Sequence, residues 1–107
     1  MKYPYAEFVP VYKALADETR IKIVDMLSCG EMCACKILES FNITQPTLSY
    51  HMKILTDCGL VVGRRDGAWM IYSMKSESVE QLKDFWVCIT TECDDCICKK
   101  CEDKLDC

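Results

Sequence analysis

A capped helix followed at once by a turn dipeptide constrains this fold more than any other feature of the sequence. Thr44 is a typical N-cap, Pro46 suits a first helical turn, and apolar residues then recur at helical spacing as far as the stop at Gly59. Two β-rich segments follow and flank Asp66-Gly67, whose residues both tolerate positive φ and favour a two-residue hairpin turn. The sequence therefore predicts a helix over residues 44–58 and hairpin strands over 60–65 and 68–74.

Four further helices are predicted from apolar residues at spacings of three and four. The first has Pro10 within its pattern, where proline should interrupt or begin the helix, and the second has Asp17 as its N-cap. Their predicted ranges are 7–15, 17–29, 35–41 and 76–89. The expected fold is mainly α with a β-hairpin, in the order ααααββα.

The length of 107 residues supports a single small core. We expect one folded domain over residues 1–91 and a cysteine-rich tail over residues 92–107. The N-terminus lacks the apolar segment of a secretory leader, and no stretch approaches the roughly 18 apolar residues that span a bilayer. These features predict a cytoplasmic protein without a membrane partner. We expect no enzyme, because no nucleophile–base pair, phosphate loop or carboxylate pair stands out.

The net charge of −4 is unevenly distributed along the chain. Residues 42–75 carry four basic and two acidic side chains, whereas residues 76–107 carry four basic and nine acidic ones. Because phosphate binding requires Lys and Arg, a DNA-binding surface is expected in the middle segment.

Two short helices joined by residues 42–44 match the helix-turn-helix plan, in which the second helix enters the major groove. Its outer polar residues can contact bases or phosphates, and arginines beside the hairpin tip suit a wing. Taken alone, the polar helix residues could simply face solvent, and the arginines could simply protect an edge strand from pairing with another chain. The order of these features along the chain favours DNA binding. The candidate DNA contacts are Gln45, Thr47, Ser49, Tyr50, Lys53, Arg64 and Arg65.

Several segments closely resemble the ArsR/SmtB family of metal-responsive repressors. They are Ala14-Leu15-Ala16-Asp17-Glu18-Thr19-Arg20, Cys33-Ala34-Cys35, Gln45-Pro46-Thr47-Leu48-Ser49-Tyr50-His51-Met52-Lys53-Ile54-Leu55, Gly59-Leu60-Val61 and Gly67-Ala68-Trp69-Met70-Ile71-Tyr72. The resemblance implies a winged helix-turn-helix homodimer, joined through its first and last helices, that binds an inverted-repeat operator in double-stranded DNA and is released by an inducer. It also adds His51 to the DNA-contacting positions, although the side chain of this single histidine could instead pack.

Cys33 and Cys35 are the sharpest chemical signal in the sequence, and within the family pattern they are the expected metal site. Thiolates select soft ions, so As(III) and Sb(III) are the expected inducers, with Cd(II) and Pb(II) as competitors. Because residues i and i+2 of a helix are about 200° apart, both sulfurs could hold one ion only if the first helical turn unwound. That distortion would be transmitted to the reading helix, the helix over residues 44–58 that is predicted to enter the major groove.

The third sulfur ligand is open, because arsenic-responsive members commonly carry a cysteine at the position of Leu38. Cys29, a tail cysteine or an external thiol could complete the set, and two-coordinate binding is a further option. The tail holds two closely spaced Cys-x-x-Cys pairs, which suit metal binding, ligand donation or disulfides equally well. Its cysteines are Cys93, Cys96, Cys98, Cys101 and Cys107.

Three alternatives stay open at this point. The chain could respond to cadmium or lead, or it could sense oxidants or sulfane sulfur through disulfide formation. It could also be a metal-buffering thiol protein that no longer binds DNA, in agreement with its negative charge. The sequence leaves the operator and the regulated genes undefined.

Overall fold

The computed structural model describes residues 5–91, and this part of the chain contains five helices and three short strands. The predicted helix order and the hairpin are confirmed, and the structure adds one strand that the sequence did not predict, before the third helix. The elements are α1 (Tyr5–Leu15), α2 (Glu18–Leu27), β1 (Met32–Cys33), α3 (Ala34–Glu39), α4 (Gln45–Asp57), β2 (Val61–Asp66), β3 (Trp69–Met74) and α5 (Ser76–Thr90).

The helix caps form as the sequence predicts. The Asp17 carboxylate accepts a hydrogen bond from the Arg20 backbone N–H at 3.1 Å, and the Thr44 hydroxyl accepts one from the Thr47 N–H at 3.3 Å. Each cap satisfies a donor that the first helical turn leaves without an intrahelical acceptor.

The expectation for Pro10 was wrong, because Pro10 lies inside α1 and neither begins nor interrupts that helix. Proline removes one backbone hydrogen bond from a helix. The helix continues because its neighbours Phe8, Val11 and Ala14 are buried, and this tertiary packing outweighs the local preference.

The hairpin forms, but its turn lies one residue later than expected. Asp66 pairs with Trp69, so the two turn residues are Gly67 and Ala68 rather than Asp66 and Gly67. Gly67 has φ of +64° and occupies the first turn position, where a type II′ turn requires glycine. Asp66 therefore ends β2 in extended conformation and needs no positive φ.

The sheet has the order β1-β3-β2, with both pairings antiparallel. The short strand β1 adds to the free edge of the hairpin through the pairs Met32–Tyr72 and Cys33–Ile71. As a result, the segment just before α3 is paired directly with the hairpin of β2 and β3, which forms the wing.

One apolar core joins the helices to the base of the hairpin, and its most completely buried side chains come from three helices and one connection. Burial of this apolar area is the main stabilising contribution to the fold. The fully buried large side chains are Ile23, Ile37, Met52, Leu55 and Leu60.

The last helix differs from the others, because none of the residues of α5 is buried within the protomer. Several of its large apolar side chains face solvent, among them Trp86, Val87 and Ile89. Within residues 5–91, no helix combines the length and the apolar character that crossing a membrane requires.

Removing the α2 cap should cause a modest and specific loss of stability. We expect Asp17→Ala to lower the free energy of unfolding by about 1 kcal/mol, since the Arg20 N–H loses its acceptor. Asp17→Asn keeps a cap acceptor and should cost only a fraction of that. Urea denaturation of the two variants at equal protein concentration measures the difference, and equal losses would show that the charge of Asp17 matters more than its cap.

Candidate DNA-reading helix and thiol pair

The polar face predicted to read DNA is exposed on α4. Leu48, Met52 and Leu55 anchor the opposite face of this helix in the core. The predicted contacts Gln45, Thr47, Ser49, Tyr50 and Lys53 are all exposed.

His51 lies apart from that exposed set, because its side chain is only 12% exposed. A guanidinium group of Arg20 donates to His51 Nδ1 at 3.1 Å, and the Asp17 carboxylate lies 4.0 Å from the same nitrogen. Arg20 also donates through Nε to the Ala14 carbonyl oxygen at 2.6 Å. The histidine therefore links the reading helix to the start of α2, a connection that sequence reasoning missed.

The two wing arginines have different surroundings. Arg64 forms an ion pair with Glu31 at 2.8 Å and lies 3.8 Å from Asp66, whereas Arg65 is exposed and lies near Tyr72. Lys53 on α4 pairs with Asp57 at 3.1 Å. Because these pairs are largely exposed, each contributes little to stability, and exchanging a carboxylate for a DNA phosphate would cost little.

Cys33 lies outside α3, so the expectation that both thiols belong to one helical turn and face opposite sides was wrong. Cys33 is the last residue of β1 and the N-cap of α3, with an extended backbone at φ −79° and ψ 154°. The helical angle of 200° does not apply to a residue outside the helix, and the Cys33 and Cys35 thiols shift each other's pKa. The helical geometry that led to the expected unwinding of α3 is therefore absent from this pair.

The interaction between the two thiols shifts their pKa values in opposite directions. The hydrogen bond from Cys35, followed by one from the Lys36 backbone, lowers the pKa of Cys33 below its usual value. The same side-chain bond, followed by burial, raises the pKa of Cys35. Cys33 is thus the first of the pair to become a thiolate, the form that binds soft ions, and Cys35 loses its proton when an ion replaces that proton.

The other described cysteines do not complete a metal site with this pair. Cys29 is exposed, Cys58 is half-buried with its thiol 3.2 Å from the Leu55 carbonyl oxygen, and Cys88 is half-buried on α5. Across residues 5–91, no three His, Cys, Asp or Glu side chains are grouped closely enough to hold a metal ion. The tail cysteines at positions 93–107 lie outside the described residues.

A groove of about 500 Å³ opens between α3, α4 and the wing, with Cys35 on one wall. Gln45 and Ser49 line it from the reading helix, and Arg65 and Trp69 line it from the wing. The groove therefore connects one thiol of the pair to three of the candidate DNA contacts. Sequence patterns gave no signal for it, since its walls come from segments that are distant along the chain.

The arrangement of a capped helix-turn-helix followed by a β-hairpin wing defines the class of winged helix-turn-helix regulators. The family described as bacterial regulatory proteins of the arsR family matches residues 17–62. An arsenical resistance operon repressor of Staphylococcus xylosus is 42% identical over 95 residues, which cover 89% of this chain and 91% of that protein. This chain belongs to the ArsR family of transcriptional regulators.

A further relative and a solved structure are also similar to this chain. A cadmium resistance regulatory protein CadC homolog of Staphylococcus aureus is 38% identical over 73 residues, covering 67% of this chain and 60% of that protein. A solution structure from Mycobacterium bovis, described as a homodimeric winged helix-turn-helix domain, matches with a TM-score of 0.67 and 29% identity. The match covers 80% of each chain.

Proposed function

We propose that this protein is a homodimeric transcriptional repressor whose operator complex dissociates when As(III) or Sb(III) binds Cys33 and Cys35. The observation that carries the proposal is the position of the two thiols, Cys33 as the N-cap of α3 and Cys35 in its first turn, directly before the helix that carries the candidate DNA contacts. Thiolates are the donors that these soft metalloids prefer. The similarity to arsenical resistance operon repressors over most of the chain supports the same inducer class.

In this proposal α4 enters the major groove of operator DNA. Gln45 is placed to contact adenine through its amide, while Thr47, Ser49 and Tyr50 reach bases or phosphates. Lys53, Arg64 and Arg65 supply the positive charge that phosphates require. His51 belongs at this surface through its position on α4, and its bond to Arg20 orients the helix that presents the other contacts.

A homodimer would match these contacts to an inverted-repeat operator. Two-fold symmetry places the paired reading helices about one DNA turn apart, ~34 Å. The apolar side chains left exposed on the first and last helices supply a surface for a second copy, and the related Mycobacterium bovis domain is described as homodimeric. Those side chains are Tyr5, Val9, Trp86, Val87 and Ile89.

The route from the thiols to the DNA surface is short in this fold. Cys33 pairs with Ile71 of the wing, and Cys35 lies in the groove that Gln45, Ser49 and Arg65 also line. An ion that fixes the two sulfurs would act on the wing and the reading helix together. Release of DNA then follows from a preference of the inducer for one of two arrangements of these elements.

The direct test is operator binding titrated with arsenite under full reduction. For the parent protein we expect arsenite to weaken operator binding by about 10- to 100-fold, the usual size of an allosteric coupling. The variant Cys33→Ser/Cys35→Ser should bind the operator normally and lose this response, because serine hydroxyls do not replace soft thiolates. Fluorescence anisotropy with operator DNA from upstream of its own gene measures both quantities.

The matched control is Cys29→Ser, which removes an exposed thiol close by in sequence and should retain the response. If the double variant still releases DNA, the sensor lies elsewhere, and serine substitution of the tail cysteines would locate it. Failure of the parent protein to bind the operator would favour a thiol protein that buffers metal. A titration with Cd(II) alongside arsenite ranks the two inducers.

A further inference from the structure

The groove of about 500 Å³ between α3, α4 and the wing is lined by side chains that suit a sugar–phosphate strand. Among the described residues that line it, Arg65 is the one cation and none is acidic. Polar groups of Gln45, Ser49 and Trp69 stand there beside apolar surface from both helices. A nucleic-acid strand presents the matching mixture, because its anionic phosphates alternate with the less polar deoxyribose rings.

The place of the groove on DNA follows from the geometry of the duplex. A major groove and the minor groove next to it share one sugar–phosphate strand as their common border. When a helix enters the major groove and a wing reaches toward the neighbouring minor groove, that strand must pass between the two elements. In this protein the space between them is the groove, with Gln45 and Ser49 on the helix side and Arg65 and Trp69 on the wing side.

We infer that this groove receives the sugar–phosphate strand that separates the two DNA grooves, and that Trp69 is a DNA-contacting residue of the wing. The inference rests on the proposed DNA binding through α4, and it assigns an occupant to the groove. It also adds to the candidate contacts an aromatic residue that sequence reasoning did not select.

Trp69 is a large apolar side chain in an exposed position on the wing. It is the first residue of β3, it pairs with Asp66 across the hairpin turn, and it is 57% exposed. It belongs to the hairpin, whereas the proposed dimer surface consists of side chains from α1 and α5. The proposed dimer therefore does not explain its exposure, and a partner at the wing does.

An indole ring offers both kinds of contact that a sugar–phosphate strand requires. Its face packs against a deoxyribose ring, and its Nε1–H donates a hydrogen bond to a phosphate oxygen. Arg65 supplies the charge beside it. Within residues 5–91, Arg65 forms no ion pair with a carboxylate, whereas Arg64 is paired with Glu31. Arg65 can therefore bind a phosphate without first losing a protein partner.

Contacts to the strand position a protein on DNA without reading the sequence, and the test uses this property. Fluorescence anisotropy is measured with the operator and with an unrelated duplex of equal length, without inducer. We expect Trp69→Ala to weaken binding to both duplexes by about tenfold and to leave the ratio of the two affinities unchanged. Because indole is uncharged, the slope of log K against log salt concentration should stay the same.

Two further variants separate the charge from the ring, and a third is the matched control. Arg65→Gln should weaken binding to both duplexes and reduce the salt slope by about one for each protomer. Trp69→Phe keeps an aromatic ring without the N–H donor and should recover part of the affinity that Trp69→Ala loses. Val62→Ala shortens another exposed apolar side chain of the same sheet, outside the groove, and should bind both duplexes like the parent.

The accessibility of the indole gives a readout that does not depend on affinity. Acrylamide quenching of Trp69 is taken as the difference between the parent and Trp69→Phe, which removes the contribution of Trp86, the other tryptophan of the chain. This quenching should fall when either duplex is bound at saturation. Urea denaturation of each variant verifies that the protomer remains folded.

If Trp69→Ala binds the operator as tightly as the parent does, or if DNA leaves the quenching of Trp69 unchanged, the inference is wrong although the chain binds DNA. A loss of affinity confined to the operator would show that Trp69 reads bases, and it would overturn the assignment of the strand to the groove. If the parent binds neither duplex, the proposed DNA binding fails and the inference fails with it. The inducer takes no part in this test, so an error in the proposed inducer site does not affect the result.

Discussion

Replacing Trp86 with aspartate should lower operator affinity by about 100-fold or more, because the variant would bind DNA as a monomer with one half-site. Trp86 is 51% exposed on α5, beside Val87 at 61%, and the helix has no residue buried within the protomer. A charge within the proposed apolar dimer surface would be desolvated without a partner, and this cost opposes association. The folded protomer should survive, since the side chain is already half in solvent.

Ile21→Asp is the matched control for this prediction. Ile21 is 53% exposed, but it lies on α2, outside the surface formed by α1 and α5. Analytical ultracentrifugation gives the oligomeric state, and anisotropy with full and half operators gives the affinities. A Trp86→Asp protein that remains dimeric would show that the two copies meet through another face.

Replacing Ile37 with alanine should lower the free energy of unfolding by about 3 kcal/mol, the usual cost of a large-to-small change in a tightly packed core. Ile37 is fully buried and is the one buried residue of α3, the six-residue helix that begins next to the thiol pair. So short a helix is not stable by itself, and its position depends on the side chain that anchors it. Urea denaturation at a fixed protomer concentration measures the loss.

Lys36→Ala on the same helix is the control for Ile37→Ala. Lys36 is exposed, and its ion pair with Glu39 at 3.9 Å is too exposed to contribute much. We expect its free energy of unfolding to stay within about 0.5 kcal/mol of the parent value. If Ile37→Ala were equally mild, α3 would be held by contacts other than its buried isoleucine.

Much of the fold could be predicted because its signals act between residues close in sequence. The Asp17 and Thr44 caps, the helical spacing around Leu48 and Leu55, and a turn near Gly67 each depend on a few neighbouring residues. The errors also have local causes. Cysteine is not a usual N-cap residue, so the sequence around Cys33 does not indicate a cap, and Asp66 is of a residue type that is common in turns.

The candidate site was predictable in its residues and not in its arrangement. Residue types and spacing predict Cys33, Cys35 and the polar face of α4 as the candidate site. Nothing in the spacing indicated that Glu31 would pair with Arg64, or that Arg20 would bond to His51 across 31 residues of chain. Such contacts depend on how separate elements pack, and no periodic pattern encodes them.

The sequence by itself determined the order of the elements, and it predicted the DNA-reading helix and the pair of thiol ligands. Only the tertiary structure decided where the two cysteines lie relative to the start of α3. Pairing of Cys33 with Ile71 holds the first cysteine in a strand, so α3 begins at the next residue, Ala34, and Cys33 lies outside the helix. The physical reason is that hydrogen bonds to a distant strand set the backbone angles of Cys33, and these angles override the helical geometry that its neighbours alone suggest.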